Sequence, residues 1–246
     1  MDLVTALEAT DGVVTVVGAG GKKSTMFRLS RSIDRAVVTA TVTIPIFDER
    51  VAAMAVTDDP VGAVDDATAD DWPLGVVPEP EPGRDDRYLG YDPAIIDELA
   101  DHPVPDTILV KADGARMRKF KAPKAGEPVI PSSSTVVVPV VSAHVIGEPL
   151  SSEYVHRIDK VGDITGLSPG QIMPPEAIAE VIASPDGGHK HVPDGATVIP
   201  VINMVDDAGL AQRARAVANA ILEGSHCRRV VLTRLTADDP VVEVIT

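Results

Sequence analysis

An apolar run breaks off into three glycines, two lysines and two hydroxyls: residues 13–25 read VVTVVGAGGKKST. Few backbones accept that order. Its β-branched residues favour a buried strand, and the glycines let the chain curl with its N–H groups turned inward. The residues that follow open a helix. A helix N-terminus leaves amide donors unpaired at the positive end of its dipole, which attracts anions. A lysine directly after the glycines reaches terminal phosphates, and a following Ser or Thr holds Mg²⁺. The phosphate-loop pattern G-x-x-x-x-G-K-[ST] is met only in part. With Lys22 as the phosphate lysine, Gly18 and Gly21 sit well, but Val16 takes the first glycine position and Lys23 the hydroxyl position. With Lys23 instead, Ser24 fits and Lys22 displaces the last glycine. The plain alternative is a glycine-rich strand-to-helix turn carrying surface lysines.

The rest of the chain alternates in a way that predicts a parallel sheet. Helices are expected over residues 3–8, 24–33, 92–100, 175–183 and 208–223, and strands over 13–17, 36–43, 107–112, 135–141, 197–203 and 229–233. Near-continuous β-branched runs between helices imply strands covered on both faces. The predicted fold is a three-layer, doubly wound α/β domain spanning residues 1–246, resembling phosphate-loop NTPases, with ligands at the C-terminal strand ends. Residues 57–90 are rich in Asp, Pro and Gly and read as an acidic insertion, either a mobile lid or a solvated loop, with Val76 and Val77 as a short strand.

Composition excludes several classes. The net charge is −15, reached with 25 Asp against 12 Glu and only 8 Lys against 14 Arg. Such a surface suits a salt-rich cytoplasm, where screening tames self-repulsion, and predicts a halophilic source. It also argues against nucleic-acid binding, which needs a basic face. No run approaches the roughly 18 apolar residues of a membrane span, and Asp2 and Glu8 do not suit a signal peptide. The single cysteine, Cys227, forms no intramolecular disulfide and reads as a passive thiol. A cytoplasmic protein without membrane contact is expected.

The chemically useful residues fall at predicted strand ends. Asp113 follows the strand at 107–112, where a carboxylate opposite a glycine loop can position Mg²⁺ or its water; a turn Asp in an Asp-Gly pair is the plainer reading. Four cations within six residues come next: Arg116, Arg118, Lys119 and Lys121. They suit a substrate anion or a triphosphate tail. Asn203-Met204-Val205-Asp206 follows the strand at 197–203 and matches the Asn-Lys-x-Asp base-binding run of GTP-binding proteins except at Met204. A thioether also covers a purine face. Thr39, Thr41 and Thr43 alternate along one strand face, chiefly as strand formers. His156-Arg157 places charges near this pocket.

Several of these motifs, taken in order, resemble one family. They are Gly18-Ala-Gly-Gly-Lys22, Ala112-Asp113-Gly114-Ala115-Arg116, Lys121-Ala-Pro123, Glu127-Pro-Val-Ile-Pro131, Val155-His156-Arg157 and Asn203-x-x-Asp206. Together they look like the YqeC family, accessory proteins proposed to mature selenium-dependent molybdenum hydroxylases. The resemblance implies a nucleotide as ligand, GTP or ATP with Mg²⁺. It further implies a molybdenum hydroxylase, or its cofactor-assembly proteins, as partner. In this reading Lys22 and Asp113 form the catalytic pair, and the amides of Gly20 and Gly21, with Gly18, hold phosphate. Ser24 or Thr25 supplies the hydroxyl, Ser24 and Asp113 organise Mg²⁺, Arg116 and Lys121 face a second substrate, and Asn203 with Asp206 holds the base. The chain departs from the pattern at Lys23, where a Thr normally stands, at Lys111, which replaces an acid, at Met204, and in a threonine run interrupted by Ala40 and Val42. These departures favour binding over turnover. The function expected is a nucleotide-binding accessory protein with slow hydrolysis or phosphoryl transfer. A non-catalytic carrier of a cofactor or selenium species is the alternative. A Rossmann oxidoreductase fits less well, because residues 38–41 lack the acid that a dinucleotide ribose needs.

Overall fold

A computed structural model describes residues 1–246. Its first half contains α1 (Leu3–Ala6), β1 (Gly12–Gly18), α2 (Lys22–Ser30), β2 (Ala36–Ala40), β3 (Ile44–Pro45), β4 (Ala53–Val56), α3 (Pro60–Asp65), β5 (Leu74–Val77), β6 (Arg87–Tyr88), α4 (Pro93–Ala100), β7 (Thr107–Lys111) and β8 (Phe120–Lys121). The second half adds β9 (Ser134–Ser142), β10 (Val155–His156), α5 (Ile158–Thr165), α6 (Pro175–Ala183), β11 (Thr197–Val198), β12 (Val201–Asn203), α7 (Ala208–Gly224), β13 (Val230–Thr233) and β14 (Val241–Ile245).

A ten-stranded sheet runs β14-β13-β12-β9-β1-β7-β2-β5-β4, with β11 pairing β9 off that path. All its pairings are parallel except β13 with β14. The predicted α/β class is therefore the observed one. β1 lies at the centre between β7 and β9, with Thr15 opposite Val110 on one side and Val137 on the other. From β1 the chain first builds outward through β2, β4 and β5, then returns through β7 and builds the opposite edge from β9 onward. Such a reversal opens a crevice at the C-terminal strand ends. The glycine turn lies there.

Helices cover both faces. Val14 and Val16 of β1 and Leu109 of β7 pack with Met26 and Leu29 of α2. On the opposite face, Val13, Val37, Ile108 and Val110 pack with Val64 of α3 and with Ile96 and Leu99 of α4. Val141, Ile202 and Leu232 pack with α6 and α7. Each such aliphatic side chain contributes about 1.5–3 kcal/mol by leaving water.

Several expectations need correction. The segment 57–90 is not a lid or a bare loop: Leu74–Val77 is an interior strand, all four residues buried, paired with β2 and β4. The short strand expected at Val76 and Val77 is thus present and longer by two residues, and its run is bounded by Pro73 and Pro78. β2 stops at Ala40, so Thr41 and Thr43 share no strand face with Thr39; Thr41 Oγ1 instead donates to Val129 O at 2.5 Å. The expected strand at 197–203 is divided into β11 and β12 at Ile199-Pro200, where proline has no N–H for the ladder. The helix after the glycines begins at Lys22 rather than Ser24, which places both lysines in its first turn.

Candidate functional site

The glycine turn is shaped by close backbone packing. Gly18 has φ +90° and Gly20 has φ +81°, the left-handed region that side chains disfavour. A Cβ on Gly20 would lie 2.6 Å from Ser142 N and 2.8 Å from Lys119 O, and one on Gly18 would strike Val140 O. Asn203, at the end of β12, braces the same turn. Its Nδ2 donates to Gly20 O at 2.9 Å, while its Oδ1 accepts from Thr233 Oγ1 at 3.1 Å. Both ends of the amide are thus engaged within the protein, and Asn203 braces the loop.

α2 begins with no side-chain cap. Thr25 N bonds Gly21 O at 2.9 Å, so the amides of Lys22, Lys23 and Ser24 precede the first helical hydrogen bond. Thr25 Oγ1 turns back to Gly21 O at 3.2 Å, whereas Ser24 is exposed.

Beneath the turn runs a ladder of alternating charges. Lys22 Nζ lies 2.8 Å from Asp113 Oδ1, and Lys121 Nζ lies 2.9 Å from Asp113 Oδ2. Lys121 also reaches Glu127 Oε2 at 3.0 Å, and Arg157 clamps Glu127 through two bonds of 2.8 and 3.1 Å. Gly18 N donates to Asp113 Oδ2 at 2.9 Å, tying the ladder to the turn. Lys22 Nζ donates to Gly18 O, and Lys121 Nζ to Gly114 O at 2.7 Å. Lys111, at the end of β7, is buried and donates to Thr43 O at 2.7 Å.

Burial alone would raise the Asp113 carboxyl, but the Lys22 and Lys121 ammonium groups outweigh it and hold it below its ordinary range. Glu127 behaves likewise: burial opposes ionisation, and Arg157 and Lys121 overcome it. Burial lowers Lys22 despite Asp113. It lowers Lys111 to about 7, with Lys22 and Lys121 adding repulsion. His156 falls to about 4 through burial and the cations Arg157, Lys121 and Arg116, and is neutral at pH 7.

The structure therefore brings Gly18, Gly20, Gly21, Lys22, Asp113, Lys121 and Asn203 together. Asp206 is exposed and pairs with His144 Nε2 at 2.8 Å. Arg116 is exposed on the rim of a cavity of about 240 Å³, shared with Arg118, His156 and Arg157. Directly beside Gly18, Asp113 and Lys121 the enclosed space is only about 20 Å³, room for a single water. A wider concavity, about 1040 Å³, lies elsewhere, between α5, α6 and α7. A ligand of the turn must therefore sit on its outer side, over the amides of α2.

The donor set does not fit a protein-held Mg²⁺. That ion takes oxygen ligands, usually one or two carboxylates, but both Asp113 oxygens are paired with ammonium groups, so the hydroxyls of Ser24 and Thr25 have no unpaired carboxylate beside them to complete a site. No three His, Cys, Asp or Glu side chains converge on one point. Sequence reasoning did not single out Glu127 as the centre of the ladder or Arg157 as its clamp, although both lie in the quoted motifs.

Fold and site define a parallel α/β protein with a glycine turn at its central strand and a buried lysine–carboxylate ladder below it. The chain belongs to the YqeC family: the family model, described as YqeC protein, matches residues 14–159, which include every rung from Lys22 to Arg157. It is 32% identical over 194 residues to the "Uncharacterized protein YqeC" of Escherichia coli (strain K12), covering 78% of this chain and 75% of that protein. No solved structure matches the chain. No helix is long and apolar enough to cross a membrane.

Proposed function

We propose that the chain binds a nucleoside triphosphate, GTP or ATP, as an accessory protein, with its phosphates over the first turn of α2. The observation that carries this reading is the uncapped start of α2 beside a buried excess of ammonium groups, at the strand-order reversal of a parallel sheet. Free amides and a dipole end attract phosphate, and Lys22 can exchange Asp113 for a phosphate oxygen at little cost in charge. Lys121 is held by Asp113, Glu127 and Gly114, so its part is to position Asp113.

Binding is favoured over turnover. A carboxylate gripped by two lysines is a poor base and a poor metal ligand, so hydrolysis or phosphoryl transfer is slow, and a carrier role without hydrolysis fits the same geometry. The rim cations Arg116 and Arg118 suit an acidic second ligand. The family resemblance supports a molybdenum hydroxylase or its cofactor-assembly proteins as client, and a place in the cytoplasm.

The test is a melting-shift comparison of GTP, ATP and NAD at high salt. A triphosphate raises the melting temperature of the wild type, NAD does not, and Lys22→Ala abolishes the shift while keeping the far-UV circular dichroism of the wild type. No shift with either triphosphate, or an unchanged shift in Lys22→Ala, overturns the reading.

A further inference from the structure

Lys22, Lys111 and Lys121 are buried together at the C-terminal strand ends, and Arg157 closes the ladder. The carboxylates among them are Asp113 and Glu127. Four basic side chains thus face two carboxylates, in a protein whose net charge is −15, and Lys111, lowered to about 7, is charged only in part at neutral pH. Lys121 has three acceptors, Asp113, Glu127 and Gly114 O, and Lys22 has two, Asp113 and Gly18 O. Lys111 has Thr43 O alone and no carboxylate partner. It follows Leu109 by two residues on β7, so both lie on one face of the sheet. Leu109 packs against Met26 and Leu29 of α2, and Lys111 therefore stands on the α2 side of the sheet.

A buried ammonium without a counter-charge is costly unless an anion is brought to it. A divalent cation would make matters worse. It would have to displace an ammonium group from Asp113, whose two oxygens face Lys22 and Lys121, and it would enter a space lined by three lysines, whose charges repel it strongly at low dielectric. We propose that this site takes its polyphosphate free of divalent cation, with the Lys111 ammonium supplying the charge that Mg²⁺ supplies in most phosphoryl-transfer sites. The proposal rests on the nucleotide reading above and specifies the ionic form of the ligand. Free ATP or GTP carries more negative charge than its Mg²⁺ complex, so the site selects the free form.

Calorimetric titration with ATP and GTP, in EDTA and in excess MgCl₂ at matched ionic strength, tests this on the full chain. Wild type binds in EDTA at least as tightly as in MgCl₂. Lys111→Met keeps the stem and loses the charge, and its affinity in EDTA falls about tenfold, the scale of one charge-assisted hydrogen bond. Lys111→Gln repeats the measurement with a polar side chain, so that a folding defect in one variant does not decide the outcome. Lys111→Glu binds only when MgCl₂ is present. Wild-type binding that requires Mg²⁺, or unchanged affinity in both neutral variants, overturns the proposal and leaves the nucleotide reading standing. Absence of binding in both media overturns the nucleotide reading itself.

Discussion

The Lys22 ammonium lies 2.8 Å from Asp113 Oδ1, joining the first turn of α2 to the end of β7. Both side chains are buried, and Asp113 answers to Lys121 as well. Asp113 is thus the hinge of the local charge balance, whereas Lys22 belongs to the side in excess. Asp113→Asn strands two ammonium groups and should cost about 3–5 kcal/mol of stability. Lys22→Met removes one cation from the excess and should cost clearly less. Equilibrium urea unfolding of the two variants measures the difference; equal losses would contradict a cation excess around Asp113.

Asn203 holds the glycine turn by its amide alone. In Asn203→Ala, Gly20 O and Thr233 Oγ1 lose their partner, a loss of about 1–3 kcal/mol for buried groups left unsatisfied. The effect should concentrate at the turn. Amide exchange at residues 18–24 should speed up more than exchange in α7, and triphosphate affinity should fall with it. Uniform exchange across the chain would mean that Asn203 supports the core and not the loop.

Glu127 sets a pH limit. Arg157 and Lys121 hold its folded pKa below the ordinary 4.5. A carboxyl lowered on folding contributes stability that is fully present above its unfolded value and is lost as pH falls through its folded value. Wild-type stability should therefore decline as pH drops below 4.5, more steeply than in Glu127→Gln, which has no carboxylate to protonate. Urea midpoints measured at a series of pH values from 6 downward, about half a unit apart, provide the comparison. Parallel declines in the two proteins would remove Glu127 from the acid-sensitive set.

Much of this protein was legible in its sequence. The three-layer parallel fold follows from β-branched runs alternating with amphipathic helices, and the glycine turn, Lys22 and Asp113 follow from residues adjacent in the chain. β5 was legible only as a short strand at Val76 and Val77, because so brief a run between prolines in an acidic segment gives no periodic signal, and only the neighbours β2 and β4 make it interior. The site's electrostatics were hidden for a related reason. Asn203 meets Gly20 across 183 positions, Arg157 meets Glu127 across 30, and both appeared in the sequence as free ligands or unassigned charges. By itself, the sequence determined which strands and turns could form, since local sterics and burial periodicity act over a few residues. Only the tertiary structure decided which charges are spent on one another and that Lys111 is left over, since ion pairing depends on distance in space and on the exclusion of water.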